Sequence, residues 1–141
     1  MREVTISLRV RYGETDQMGV VYYANYLTWF EIGRTEYCRA LSTPYVLWEE
    51  RGVFLPVVEV HCRYKASAYY DDVICVSTWV QELKQSSINF CYRVFRKEDS
   101  KLLVEGWTRH AFVDKAGRLL RGAHPFYQWI QKYVEGEVHE A

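Results

Sequence analysis

The chain has 141 residues and no net charge at neutral pH, because 18 basic side chains balance 18 acidic ones. A chain of this length is expected to form one domain, 1–141, whose last residues, 135–141, we expect to be a flexible tail. Balanced charge excludes recruitment of nucleic acid or an anionic membrane by a global field. An anionic ligand would therefore need a local basic cluster.

Cysteine usage and hydropathy point to an intracellular protein without structural metal. The four cysteines show neither CxxC pairing nor metal-ligand spacing, so they are predicted to be buried free thiols: Cys38, Cys62, Cys75 and Cys91. The N-terminal segment is charged and alternating, and no apolar run reaches the roughly 18 residues of a membrane span. We expect a cytoplasmic chain with no membrane insertion and no nucleic acid partner.

Hydrophobic periodicity predicts the secondary structure of the first half of the chain. Residues Glu3–Tyr12 alternate with a period of two, which predicts a strand with one face in water. From about Tyr23 to Leu41 the apolar residues recur at helical spacing. Within this helix Glu31 is predicted to pair with Arg34 one turn on. A short helical piece follows, from about Tyr45 to Arg51.

The second half predicts a sheet and a closing helix. Four further strands are expected, at Val57–Lys65, Val73–Leu83, Ser87–Lys97 and Leu102–Val113, and Pro125 opens the last helix. One long helix with several antiparallel strands predicts an α+β fold in which the sheet wraps the helix. The open edges of such a sheet predict pairing with a second copy.

The segment from Arg11 to Tyr26 is the place to look for chemistry. It contains one carboxylate, Asp16, close to Gly19 and just ahead of the long helix. The first N–H groups of a helix lack acceptors within the helix. An acid at this position can act on a carbonyl group that these donors hold.

The residues of this segment resemble the signature of the 4-hydroxybenzoyl-CoA thioesterase family, which includes the acyl-CoA thioesterases associated with the Tol–Pal system. The opening motif is Arg11-Tyr12, Glu14-Thr15-Asp16, Gly19-Val20-Val21-Tyr22, Asn25-Tyr26, Trp29-Phe30-Glu31, Arg34 and Glu36. The likeness continues through Tyr64-Lys65, Tyr70-Asp71-Asp72, Glu105, Thr108, Val113-Asp114, Gly117, Arg121 and Pro125. It spans about residues 5 to 130.

The resemblance implies a hotdog fold, a curved antiparallel sheet of about five strands wrapping one long helix. It further implies a homodimer or homotetramer with active sites at the subunit interface, and no metal or redox cofactor. The implied activity is hydrolysis of acyl-CoA thioesters by the carboxylate at Asp16. In the Tol–Pal branch a histidine stands where this chain has Tyr23, so a histidine-dependent mechanism does not transfer.

The implied chemistry centres on one carboxylate and nearby backbone donors. Asp16 would attack the thioester carbonyl as a nucleophile or activate water as a general base, and the sequence leaves both routes open. The backbone N–H of Tyr23 is expected to stabilise the oxyanion. Gly19 would let the backbone approach the substrate closely. Glu14 is the competing acid, although the family pattern selects Asp16.

Substrate-binding residues are expected in the same segment and in two basic loops. Tyr12 would orient the aspartate loop by its hydroxyl or belong to the core. Asn25 would bond the active-site loop or the acyl group, or make a local turn or cap bond. The phosphorylated nucleotide of CoA needs basic groups. The candidates are Lys84, Ser86 and Ser87 in one turn and Arg118 and Arg121 after another. In similar proteins such loops grip the nucleotide from the dimer partner.

Three other functions are alternatives on the same fold. A non-catalytic module that binds acyl-CoA or acyl-carrier protein would have no need for Asp16. A thioesterase acting on acyl-carrier protein would share the motif. A hydratase needs a histidine with a carboxylate on the helix, and the helix from Tyr23 to Leu41 has no histidine.

Overall fold

The computed structural model describes residues 2–121 and 124–134, so the expected tail 135–141 lies outside the described residues. The elements are strand β1 (Glu3–Arg9), a 3-10 turn (Tyr12–Glu14), helices α1 (Asn25–Ala40) and α2 (Tyr45–Glu50), strands β2 (Val57–Tyr64), β3 (Val73–Leu83), β4 (Ser87–Arg96) and β5 (Leu102–Ala111), and helix α3 (Pro125–Val134). The predicted order of elements is confirmed. None of the described helices is long and apolar enough to cross a membrane.

The five strands form one antiparallel sheet in the order β1-β3-β4-β5-β2. Helix α1 packs on one face of this sheet, mainly against β1 and β3 and also against β4. Its apolar stripe is buried there and includes Tyr26, Trp29, Phe30 and Tyr37. The predicted α+β fold, a sheet around one long helix, is confirmed.

Close approach of α1 to the sheet depends on Gly33. A Cβ at this position would lie 2.5 Å from Thr78 Oγ1 and 2.9 Å from Val76 Cγ1, both on β3. One turn earlier, the Phe30 ring stacks on Tyr92 of β4 with ring centroids 4.2 Å apart. The helix can therefore lie flat on β3 and β4 only because position 33 has no side chain.

Strand β1 is shorter than predicted, and this changes the position of Tyr12. The strand ends at Arg9, and the Val10 N–H then donates to Asp72 O at 2.8 Å as the chain turns away from the sheet. The alternation therefore stops before Tyr12, whose side chain is 76 % exposed. The interpretation of Tyr12 as a core residue is wrong.

Two predicted side-chain environments also differ in the structure. Glu31 and Arg34 do not pair, since no described carboxylate lies within 4.0 Å of the Arg34 guanidinium. All four cysteines are free, but only Cys38 and Cys75 are buried, whereas Cys62 and Cys91 are half-buried. Both half-buried thiols lie on strands, and the strand pattern alone did not show which face is covered.

Strand β2 lies at one edge of the sheet and remains largely exposed. It pairs only with β5, and its apolar side chains Val57, Val58, Val60 and Tyr64 are all exposed. Alternation along β2 predicted one buried face. In the isolated chain α1 packs over the other half of the sheet, so neither face of β2 is covered.

A chain of buried hydrogen bonds joins β4, β5 and the segment before β2. The Tyr92 hydroxyl lies 2.6 Å from Thr108 Oγ1, which lies 2.8 Å from His110 Nε2, and His110 Nδ1 lies 3.0 Å from Leu55 O. A carbonyl only accepts, so Nδ1 carries the proton and Nε2 accepts from Thr108. Burial lowers the pKa of His110 to about 4, which keeps the imidazole neutral.

Replacing Gly33 with alanine is expected to destabilise the protein, although alanine favours helices. The methyl group would collide with Thr78 and Val76, and overpacking of this kind costs about 1–3 kcal/mol, more than the roughly 1 kcal/mol gain in helix propensity. Urea unfolding measures the change. Thr28→Ala, on the exposed face of α1, is the control and should leave stability equal or slightly higher.

His110 is expected to make stability fall as the pH drops from about 6.5 towards 4. The unfolded imidazole binds a proton below about 6.5, whereas the folded one stays neutral until about 4, so roughly 3 kcal/mol is lost across this window. Urea unfolding of wild type and His110→Gln at a series of pH values measures it. Carboxyl groups with a lowered pKa, such as that of Asp99, are present in both proteins, so their effect on stability cancels when the two are compared. If the free energies of unfolding of the two proteins change in parallel with pH, the assignment of His110 as a buried neutral imidazole is wrong.

Candidate active site

Asp16 begins a tight turn between the 3-10 turn and α1. Its carbonyl accepts from the Gly19 N–H at 3.0 Å, and its N–H donates to Val20 O at 2.9 Å. Its Oδ1 accepts from the Met18 N–H at 2.8 Å, which fixes the carboxylate against the turn. No donor from the described part of the chain binds the other oxygen, Oδ2. One oxygen therefore positions the group, and the second is available.

Gly19 is required for its backbone conformation. Its φ is 81°, in the left-handed region that residues with a Cβ rarely adopt. A Cβ at this position would meet no heavy atom within 4 Å, so steric space is not the constraint. Gly19 therefore permits the turn that closes the Asp16 loop, and the close approach of backbone to substrate at this position stays a prediction.

Two neighbouring backbone N–H groups are held with no acceptor. Tyr22 O accepts from the Asn25 N–H at 2.9 Å, and Tyr23 O accepts from the Tyr64 hydroxyl at 2.9 Å. In a trans peptide the N–H points opposite to the C=O. The N–H groups of Tyr23 and Ala24 therefore point away from these bonds, and neither has an acceptor among the described residues.

Glu14 ties the Asp16 loop to α1. Its carboxylate is buried, with Oε1 accepting from the Arg11 N–H at 2.8 Å and Oε2 from Trp29 Nε1 at 3.0 Å. Its carbonyl oxygen accepts from the Tyr22 N–H at 2.9 Å and from Asn25 Nδ2 at 2.7 Å. Both carboxylate oxygens are engaged, so Glu14 is a structural clamp. It does not compete with Asp16 as the acid.

The other two residues predicted in this segment, Asn25 and Tyr12, have different roles: one fixes the loop and the other lies on its surface. The Asn25 side chain donates to Glu14 O, 11 positions earlier, which is the bond to the active-site loop among its predicted alternatives. Tyr12 supplies the carbonyl that accepts from the Thr15 N–H and Oγ1, at 3.1 and 2.7 Å. Its ring packs edge-to-face on Tyr70 with centroids 5.5 Å apart. Asn25 therefore fixes the loop, while the Tyr12 ring borders it.

Exposed tyrosine rings border the loop on two sides. In addition to the Tyr12–Tyr70 contact, the Tyr22 and Tyr23 rings are 4.8 Å apart, and Tyr23 contacts Tyr64 edge-to-face at 6.3 Å. A hydrogen bond with the Tyr23 side chain raises the pKa of Tyr22, and the nearby Asp16 carboxylate adds to the effect. The Tyr22 phenol is therefore neutral at physiological pH and offers an uncharged surface.

The predicted basic loops meet at one end of the sheet. The Ser86 hydroxyl, in the β3–β4 turn, donates to Leu120 O at 3.0 Å and so joins that turn to the loop after β5. Lys84 lies 3.7 Å from Glu82 and Arg118 lies 3.3 Å from Asp114, and all of these side chains are largely exposed except that of Asp114. Ser87 starts β4 beside them, and Arg121 is exposed nearby.

The structure does not bring these basic loops near Asp16 within one chain. Asp16 follows the end of β1, where Arg9 pairs with Val73 at the start of β3. Lys84 follows the other end of β3, an 11-residue strand. At about 3.3 Å per residue, β3 itself is about 33 Å long, and the two groups belong to its opposite ends.

A cavity of about 220 Å³ lies beside the second half of α1. Its wall includes Glu31, Arg34 and Cys38 from α1, Tyr45 and Leu55 from the segments that follow, and His110 from β5. The sequence analysis did not identify this cavity. Its residues are up to 79 positions apart in the chain, and only the expected charge pair on α1 marked the place.

Glu14 and Tyr64 were also missed as positioning residues. The bond from Trp29 to Glu14 spans 15 positions, and the one from Tyr64 to Tyr23 spans 41. No local pattern predicts either. The family motif contains both Glu14 and Trp29 and was the one signal that could have paired them.

Comparison with known proteins agrees with this geometry. The family model described as the thioesterase-like superfamily matches residues 10–134. The acyl-CoA thioesterase YbgC of Haemophilus influenzae is 39 % identical over 108 residues, which cover 76 % of this chain and 78 % of that protein. The 4-hydroxybenzoyl-CoA thioesterase of a Pseudomonas species is 29 % identical over 128 residues, with 85 % and 89 % covered.

Solved structures show the same fold. The DHNA-CoA thioesterase of Staphylococcus aureus superposes with a TM-score of 0.89 and 30 % identity, covering 97 % of this chain and 92 % of that one. The resemblance stated from the sequence motif and the hotdog fold that it implied are both confirmed. The chain belongs to the thioesterase-like superfamily and is a hotdog protein of its acyl-CoA thioesterase group.

Proposed function

We propose that this protein hydrolyses acyl-CoA thioesters to a free acid and CoA, with Asp16 as the reacting carboxylate. Two observations carry the proposal: Asp16 Oδ2 is available, and the backbone N–H groups of Tyr23 and Ala24, a few residues further along, have no acceptor within 2–121 and 124–134. The names of its relatives support the activity, since they are thioesterases of acyl-CoA substrates.

The thioester carbonyl oxygen would bind at the N–H groups of Tyr23 and Ala24. Asp16 then either attacks the carbonyl carbon or removes a proton from an attacking water, and the negative charge moves onto the carbonyl oxygen. Each backbone donor aimed at this oxyanion is typically worth about 10²–10³ in turnover. Collapse of the tetrahedral intermediate expels the CoA thiolate. On the general-base route this step gives the acid directly, whereas on the nucleophilic route it leaves an acyl–Asp16 anhydride, which water then hydrolyses to the free acid and the regenerated carboxylate.

The position of the basic loops supports a site built from two copies. CoA is anionic at its nucleotide end, and Lys84 and Arg121 are the predicted cations for it. Lys84 follows the end of β3 opposite to Asp16, a strand about 33 Å long, and the Ser86–Leu120 bond holds the loop of Arg121 at that same end. A second copy paired at the exposed edge strand β2 would supply its own loops to this site. We therefore propose a homodimer, or a dimer of dimers, as the active form.

Asp16→Asn is expected to lower kcat by about 10²–10⁴-fold while leaving the fold intact. Asparagine keeps an oxygen that can accept from the Met18 N–H, so the turn survives, but it loses the basic and nucleophilic oxygen. CoA release followed with a thiol reagent measures the rate. The neighbouring variant Gln17→Asn is the control and should keep wild-type turnover. Equal activity in Asp16→Asn and wild type would remove Asp16 from the mechanism.

The double variant Lys84→Gln/Arg121→Gln is expected to raise KM for acyl-CoA about tenfold with little change in kcat. The same acyl group on pantetheine, which lacks the nucleotide, should show no change in KM. Lys97→Gln removes a lysine at the opposite end of the sheet and is the matched control. An equal KM shift in the control, or with the pantetheine substrate, would rule out a nucleotide grip by these loops.

A further inference from the structure

The cavity beside α1 opens on one face of the helix, and the proposed oxyanion donors stand just before the first residue of the same helix. Glu31, Arg34 and Cys38 line it, and at 100° per residue Leu27 lies on this face one turn nearer the helix start. Arg34 is nine residues after Asn25, which places it about 14 Å along the helix axis. An acyl group whose carbonyl binds at Tyr23 can therefore extend along this face to the cavity.

Arg34 brings a positive charge that no carboxylate in the described chain neutralises. Its closest predicted partner, Glu31, is not within 4.0 Å. The guanidinium instead lies by the Tyr92 hydroxyl and acts against the effect of burial on the pKa of Tyr92. Tyr92 is the first member of the buried chain that runs through Thr108 to His110. The Arg34 head group is thus positioned by a fixed network and retains donors for a ligand.

The other titratable groups deep in the cavity are neutral. Burial raises the pKa of Cys38 to about 12 and lowers that of His110 to about 4. Burial also raises the pKa of Tyr45. The second charge in the wall is Glu31, whose side chain is exposed and screened by solvent. The interior of the cavity therefore carries one positive charge.

We propose that this cavity receives the far end of the acyl group and that Arg34 selects acyl chains ending in a carboxylate. This inference rests on the proposed thioesterase function and names its substrate class, the monothioesters of dicarboxylic acids with CoA. A volume of about 220 Å³ holds about seven waters at roughly 30 Å³ each, enough for a carboxylate and a few methylenes. A charge-assisted hydrogen bond to a planar guanidinium suits that group.

The experiment compares kcat/KM for pairs of acyl-CoA substrates of equal chain length, with and without the terminal carboxylate. Suitable pairs are glutaryl with pentanoyl, adipoyl with hexanoyl, suberoyl with octanoyl, and sebacoyl with decanoyl. Wild type should prefer the carboxylate member of at least one pair. Arg34→Gln should lower kcat/KM for that member about 10–100-fold and leave the unsubstituted member within about twofold.

Two further variants separate charge from structure. Arg34→Lys keeps the charge and should recover part of the preference. Glu31→Gln removes the like charge at the rim and should raise kcat/KM for the carboxylate substrate a few-fold, the opposite direction from Arg34→Gln. Thermal unfolding and the size of the assembly, measured for each variant, should match those of wild type. If Arg34→Gln dissociates the assembly, Arg34 is an interface residue and the inference is wrong.

The results also separate this inference from the proposed function. No hydrolysis of any acyl-CoA by wild type would defeat the proposed function itself. Hydrolysis of both members of every pair, with Arg34→Gln lowering both equally, would defeat the selectivity while the function stands. Free glutarate and adipate test the other source of a carboxylate. The proposal would be overturned if these free acids activate wild type, Arg34→Gln removes that activation, and wild type shows no preference for carboxylate-terminated substrates. The cavity would then be an effector site.

Discussion

The bond between the buried Glu14 carboxylate and the Trp29 indole is the contact on which the site depends. One oxygen of Glu14 binds the indole N–H on α1 and the other binds the backbone at Arg11, so a single residue joins the loop to the helix. Leaving either oxygen of a buried carboxylate without a donor costs about 1–3 kcal/mol or more, because the charge has already lost its water. The loop is therefore held in one place relative to the start of α1.

This clamp matters because the proposed chemistry uses groups from both sides of it. Asp16 lies in the loop, whereas the N–H groups of Tyr23 and Ala24 belong to the turn that leads into α1. An oxyanion site works through donors that are already aimed before the reaction begins. The Glu14 carbonyl oxygen also binds the turn that carries these donors, since it accepts from the Tyr22 N–H and from Asn25 Nδ2. Loop and donors thus move as one unit.

The fold was largely predictable from the sequence because it follows from local patterns. A period of two gave the strands, a period near 3.6 gave α1, and the long opening motif identified the family. The predictions that were wrong concern residues whose environment is set by distant parts of the chain. Tyr12 continues the alternation of β1 but lies past the point where the chain turns. Glu31 and Arg34 are three residues apart, a spacing that allows an ion pair on a helix, but their charged groups are more than 4.0 Å apart.

The sequence could point to the residues of the candidate site but not to the contacts that support them. Asp16, Gly19 and the donor at Tyr23 are adjacent in the chain, so a motif can show them together. Glu14, although part of that motif, gave no sign that Trp29 would bind it. Contacts of this kind depend on the packing of α1 on β3, which Gly33 permits, and a motif that contains two residues does not show that their side chains meet.

Tyr64 links the rim of the sheet to the turn before α1. It is the last residue of the edge strand β2, and its hydroxyl holds the carbonyl of the peptide that contains the Ala24 N–H. If a second copy pairs with β2 and the Ala24 N–H receives the thioester oxygen, as proposed above, this one hydrogen bond connects the two events. Each would then favour the other, because a coupling free energy between two binding events acts in both directions.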